Sequence, residues 1–174
     1  MSRLTAQKQQ TKIRGKSAAR LQSAGERKET IPTLINRTFV VDVPLATAWH
    51  HLACVEAWPS WAKHIKAVEL TPPGEVIPQS KGVLHLRNGL TTTFQMQEFR
   101  PFEHWKWVGP LLWLTIFYDH TFKALTGQRT QLTFLVEVSG WGVPLFGRLF
   151  AAVYNRNLDT AIPHLITELN TLKQ

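Results

Sequence analysis

The chain has 174 residues, 44% of them hydrophobic and including seven Trp and nine Phe, enough for one packed domain of ordinary size plus a tail. Its one cysteine, Cys54, excludes an internal disulfide and a cysteine-rich metal site; it reads as a small buried helical residue in a reducing compartment. The net charge of +8 belongs to one end: residues 1–28 hold eight Lys or Arg and one acid, whereas residues 29–174 hold twelve Lys or Arg and eleven acids.

Residues 1–29 are rich in Lys, Arg, Gln and Ser with no apolar period. They bury too little to offset ordering entropy and read as a basic, disordered tail. The competing readings are contact with nucleic acid or an anionic membrane surface, and an organellar transit peptide. The longest nearly uncharged apolar run, Val108–Tyr118, has eleven residues, short of the roughly 20 that a membrane-spanning helix needs. The N-terminus lacks the apolar core of a secretory signal, so a cytoplasmic location is expected.

Residues 30–174 read as one domain. Phe39, Val41 and Val43 alternate with Thr38, Val40 and Asp42, which predicts a strand over Ile31–Val43 that Pro44 ends. Leu45, Ala48, Trp49 and Leu52 recur at helical spacing and predict a short helix over Leu45–Val55. Trp58-Pro59-Ser60-Trp61 breaks it, and Ser60 is placed to cap a second short helix through Ile65. His50, His51 and His64 have no zinc-motif spacing and read as surface or partly buried polar groups.

Val68–Leu70 is a brief strand, followed by a Pro-rich loop over Thr71–Pro78. Gly82–Arg87 and Thr91–Phe99 form a hairpin about Asn88-Gly89. His104–Val108 is the next strand, and Gly109-Pro110 is expected to break it. Leu112–Leu125 and Gln131–Val138 follow, joined by a turn at Gly127. Phe146, Phe150, Tyr154, Leu158 and Ile162 then fall four apart, continued by Leu165 and Leu169 and widened by Leu149 and Val153. That is one long amphipathic helix over Gly142–Leu172, with Pro144 tolerated in its first turn and Pro163 expected to kink it.

Strand, two short helices, about six antiparallel strands and a long helix make an α+β layout with the helix on one face of the sheet. This order resembles the helix-grip fold of the START-like (SRPBCC) superfamily. The local resemblance is to its polyketide cyclase/dehydrase and lipid-transport branch. It is carried by "FVVDVPLATAWHHLACVEAWPSWAKHIKAVEL", "FQMQEFRPFEHWKWVG" and "HTFKALTGQRTQLTFLVEVSGWG". The resemblance implies a curved antiparallel sheet wrapped around the C-terminal helix, with a cavity between them, over residues 31 to 172. It brings no universal catalytic motif.

Taking the apolar side of each strand as inward, the candidate ligand-binding residues are Phe94, Met96, Trp105, Trp107, Tyr118, His120 and Phe134, with Phe150 and Tyr154 from the helix. His85 and His104 point outward. Glu98 follows Met96 on the inward phase if no bulge intervenes. Glu98, Tyr118 and His120 are therefore the candidate proton-transfer groups; the alternative is a buried His bonded to a Tyr and a Glu at a strand end reaching water. Aromatics on inward faces ordinarily fill core; seven Trp, with the cavity that the resemblance implies, favour a ligand site.

No dinucleotide, Walker A, zincin or nucleophile-elbow motif occurs, and no cofactor or metal is expected. The body lacks a basic patch interleaved with exposed aromatics, so no dedicated nucleic-acid site is expected. The function this supports is binding or transport of a hydrophobic small molecule or lipid. The alternatives are a polyketide cyclase or dehydratase type of enzyme and a protein-interaction module on the same fold. The oligomeric state is left open.

Overall fold

The structure is a computed structural model that describes residues 32–172. The expected basic tail over residues 1–29 and its boundary with the domain lie outside the described residues. In chain order the elements are β1 (Thr33–Val41), α1 (Leu45–Ala53), a 3₁₀ turn (Val55–Ser60), β2 (Ile65–Thr71), β3 (Lys81–Leu86), β4 (Thr91–Arg100), β5 (His104–Leu111), β6 (Leu114–Thr126), β7 (Arg129–Ser139) and α2 (Val143–Thr171). All neighbouring strands pair antiparallel in one seven-stranded sheet of order β1-β7-β6-β5-β4-β3-β2. The sheet curves around α2, the helix-grip arrangement.

The core follows the alternation of the strands. Leu132, Phe134, Val136 and Val138 of β7 are buried on one face, while Glu137 and Thr133 take the other. On that outer face Lys106 Nζ lies 2.6 Å from Glu137 Oε2, and His104 Nε2 lies 3.0 Å from Asp119 Oδ2. His85, also outward, bonds Glu69 at 2.8 Å.

α2 is not seated evenly. Its C-terminal half buries Leu158, Ala161, Leu165 and Leu169 against α1 and the β1 side of the sheet. Arg37 of β1 pins this half by bonding Asn155 Oδ1 at 3.0 Å and Asp159 Oδ1 at 2.6 Å. Asn170 accepts from the Asp42 backbone and Ser60 donates to Glu168. In the N-terminal half Phe146, Phe150 and Tyr154 are half-buried, and Leu145, Leu149 and Val153 are exposed. Buried Gly147 keeps one edge of this half against Leu34 of β1, and the gap between its other edge and the central strands is a cavity.

Several boundaries differ from the sequence reading. The second short helix precedes Ser60 instead of following it: Val55 and Trp58, three apart, share the buried side of the 3₁₀ turn, and Trp58 Nε1 donates to the Leu52 carbonyl at 2.9 Å. Ser60 therefore holds Glu168 and caps nothing, and Ile65 begins β2. Cys54 is exposed, not buried, because it is the residue at which α1 ends. Partial desolvation, then the carboxylates of Glu75 and Glu56, push its thiol up, away from nucleophilic use.

β5 runs through Gly109-Pro110 to Leu111. Its pairing with β4 ends at Gln95–Val108, so the N–H that Pro110 lacks is not needed on that side. Leu111 pairs with Leu114 across a tight turn of Leu112 and Trp113, with Leu112 in the left-handed region at φ 56°. The apolar run 108–118 is thus a hairpin. Residues Val143–Thr171 stay helical through Pro163.

Candidate functional site

The cavity between the N-terminal half of α2 and the sheet has a volume of about 430 Å³. Its floor comes from alternate residues of the central strands: Leu84 and Leu86 on β3, Phe94 on β4, Trp107 on β5, Tyr118 and His120 on β6. Period-two side-chain direction brings these to one face, and antiparallel register sets them side by side, Trp107 opposite Tyr118. Phe146, Phe150, Tyr154 and Asn157 of α2 form the roof, and Trp58 and His64 close one side. At the mouth stand Leu90, Leu112, Trp113, Leu149 and Val153.

Polar groups are few: Asn88, Thr92 and Thr93 on the β3–β4 hairpin, His64, Asn157, and at the inner end His120, Tyr118 and Tyr154. His120 is 6% exposed and ringed by Trp105, Trp107, Trp58 and Phe134, at centroid distances of 5.4, 5.2, 5.5 and 5.0 Å. Burial, with a smaller contribution from His104, lowers its imidazole to about 3, so the ring is neutral at physiological pH. A neutral imidazole carries one donor and one acceptor, and Nδ1 has no hydrogen-bond partner among the described residues. Tyr118 and Tyr154 stand next to it; burial pushes both phenols above their ordinary range, which keeps them protonated. Burial also lowers His64.

Among the described residues no carboxylate lines this cavity. The reason for Glu98 is a bulge in β4: Met96 stands opposite Trp107, yet Glu98, two residues on, stands opposite Lys106. The extra residue moves Glu98 to the exposed side and gives the inward phase to Phe99, which packs on Trp49 at 5.6 Å. The expected inward position of Glu98 is therefore corrected, and among the described residues no carboxylate accompanies His120 in the cavity.

Of the candidate ligand-binding residues, Phe94, Trp107, Tyr118, His120, Phe150 and Tyr154 line the cavity together. Phe134 lines only an adjoining pocket of about 30 Å³ behind Tyr118 and Tyr154. Trp105 faces inward but is fully buried in core among Trp49, Phe122 and His120. Met96 is half-buried against the core just before the bulge, outside the cavity. The sequence reading missed Trp58, His64, Phe146 and the hairpin tip. Phe146 was legible as the first member of the four-residue row; the others needed the fold.

Among the described residues no three His, Cys, Asp or Glu side chains come together as a metal-ligating group. His50 pairs with Glu75 and His51 lies 3.5 Å from Glu168, both away from the cavity. No described helix is long and apolar enough to cross a membrane.

A curved antiparallel sheet gripping one long helix around an apolar hollow defines a START-like protein. The chain belongs to the polyketide cyclase / dehydrase and lipid transport family, whose model matches residues 32–169. Among solved structures it is similar to a hypothetical protein from Helicobacter pylori, at 12% identity and TM-score 0.67 over 82% of this chain and 90% of that one. It is also similar to the Zhui aromatase/cyclase from a Streptomyces species, at 18% identity and TM-score 0.59 over 78% and 92%. A START superfamily protein from Mycobacterium smegmatis matches at 16% identity and TM-score 0.60 over 79% and 97%. At these identities the likeness is one of fold. No curated protein matches the sequence.

Proposed function

We propose that this protein binds an apolar small molecule or lipid in the cavity between sheet and α2, oriented by a polar group at the His120–Tyr118–Tyr154 end. The observation that carries the reading is the cavity: about 430 Å³, walled mainly by aromatic and aliphatic side chains, with His120, Tyr118 and Tyr154 among its few polar groups. That size and lining suit a small-molecule site. His120, Tyr118 and Tyr154 are all neutral, so the ligand group that matches this end is an uncharged hydroxyl or carbonyl.

Binding or carriage is favoured over catalysis by proton transfer. An imidazole lowered to about 3 is a weak base at neutral pH and is almost never protonated, so it serves poorly as a general acid. Among the described residues no carboxylate in the cavity supplies an alternative base. A cyclase or dehydratase activity would have to rest on the two phenols.

Native mass spectrometry of the purified full-length protein tests the reading, together with titration of an uncharged apolar fluorophore followed by Trp fluorescence. Expected are a co-purified apolar ligand and saturable quenching of Trp107, which lies in the cavity wall. A folded protein that takes up neither contradicts the proposal and leaves the interaction-module alternative.

A further inference from the structure

Around the mouth of the cavity the protein exposes large apolar side chains that a soluble surface ordinarily hides. Trp141 is 81% exposed, Leu145 73%, Leu112 69%, Leu149 63%, Val153 53% and Trp113 40%. They form one patch. Trp113 at the β5–β6 hairpin tip reaches the helix N-terminus, 6.2 Å from the Trp141 ring and 4.9 Å from Phe146. Gly142 permits this approach: a Cβ there would lie 2.1 Å from Trp113 Nε1. Leu145, Leu149 and Val153 continue the patch along one stripe of α2. A contiguous exposed patch of this kind marks an interaction surface.

The charges around it have one sign. The segments that build the mouth, residues 82–97, 104–118 and 139–158, contain no Asp or Glu. Arg87, Arg148 and Arg156 are exposed there, and among the described residues no carboxylate pairs with them. The described chain begins at this end of the sheet: the Pro32 carbonyl accepts from the Val138 N–H, three residues before Trp141.

We propose that the mouth of the cavity docks on an anionic lipid bilayer, with Trp113, Trp141 and the Leu145–Leu149–Val153 stripe in the interfacial layer and Arg148 and Arg156 on lipid phosphates. Trp favours the headgroup boundary, and basic residues flanking an apolar stripe add attraction to anionic lipids. A second copy of this chain fits less well, because it would bring arginines to arginines with no carboxylate to meet them. Docking this way sets the open mouth against the acyl region, so an apolar ligand passes between bilayer and cavity without crossing water. The proposal takes only the position of the cavity from the preceding reading; vesicle binding tests it without any cavity ligand.

The experiment is sedimentation of full-length protein with phosphatidylcholine vesicles containing about a quarter phosphatidylglycerol, beside pure phosphatidylcholine vesicles. Some samples carry acyl chains brominated near the headgroup. All seven Trp lie between residues 49 and 141, so quenching by bromine reports on the domain and not on the N-terminal segment. Expected are binding to the anionic vesicles, weakening with salt, and Trp quenching. Trp141→Glu with Leu145→Glu should lower the partition about tenfold or more. These two side chains do not line the cavity, so the thermal melt and fluorophore uptake in solution should stay unchanged. Failure to bind anionic vesicles overturns the proposal. So does binding without quenching that the double variant does not reduce, which would assign attachment to the N-terminal charge alone. Self-association that the double variant abolishes, with no vesicle binding, would assign the patch to a second copy.

Discussion

Tyr118 of β6 meets Tyr154 of α2 at the inner end of the cavity, their ring centroids 5.8 Å apart. Beyond them, toward the C-terminus of α2, Leu158, Leu165 and Leu169 are buried; before them the helix touches β1 at Leu34 but stands off the central strands around the hollow. The pair thus closes the cavity and places two protonated hydroxyls where a ligand's buried end would lie. Tyr118→Phe and Tyr154→Phe should each leave binding of a hydrocarbon-like fluorophore within about twofold. Binding of a close analogue bearing one hydroxyl or carbonyl should weaken about fivefold, the equivalent of ~1 kcal/mol. Equal effects on both probes would show that the hydroxyls do not meet the ligand.

Trp105 and Trp107 share a face of β5 but not a role. Trp105→Ala removes a fully buried core ring and should cost about 3–5 kcal/mol in denaturant melts. Trp107→Ala removes cavity wall and should weaken probe binding by more than its own loss of stability implies. Comparing Kd and melting curves for the two variants checks this, and a larger binding defect in Trp105→Ala would invert the assignment.

Leu158 and Leu149 test how α2 is seated. Leu158 is 3% exposed and Leu149 63%. Leu158→Ala should cost about 2–5 kcal/mol, whereas Leu149→Ala should change stability by no more than about 0.5 kcal/mol. Urea unfolding monitored by circular dichroism separates them; similar costs would mean that the N-terminal half of the helix packs down as the C-terminal half does.

The pH dependence of stability follows from His120. Its folded value of about 3 lies below the unfolded 6.5, so below pH 6.5 the unfolded chain takes up a proton that the folded protein refuses. Stability from this group is full above about pH 6.5 and falls by about 1.4 kcal/mol per pH unit as pH drops toward 3. His51 and His64, also lowered chiefly by burial, act in the same direction. His120→Phe should shallow the acid limb of a stability–pH curve by about one proton. An unchanged slope would assign the acid sensitivity to other groups.

Glu98→Gln should leave both probe binding and stability unchanged within about 0.5 kcal/mol, since the side chain is exposed beside Lys106 on the outer face. A large binding defect would place Glu98 back at the cavity.

Most of the architecture was legible along the chain. Period-two alternation in residues such as Leu132, Phe134, Val136 and Val138, and the four-residue row from Phe146 to Leu169, depend on side-chain direction within one element. Local geometry alone decides such patterns, so the sequence by itself determined the antiparallel sheet, the Asn88-Gly89 hairpin, the long C-terminal helix and which face of each looks inward. Tertiary structure decided what happens between elements. The β4 bulge that turns Glu98 outward depends on register against β5, which no single strand encodes. Pro110 stays within β5 only because β4 has already stopped pairing. Trp105 and Trp107, indistinguishable by phase, separate into core and cavity wall because Trp49 of α1 packs onto Trp105, whereas Trp107 faces the hollow that Phe146, Phe150 and Tyr154 of α2 roof over. Leu149 and Val153 belong to the helix face that the sequence assigned to the core, yet both are exposed, and Leu145 and Trp141, which precedes the helix, are exposed beside them. Only the relative placement of helix and sheet decides that Leu149 and Val153 stand at the cavity mouth instead of in the core.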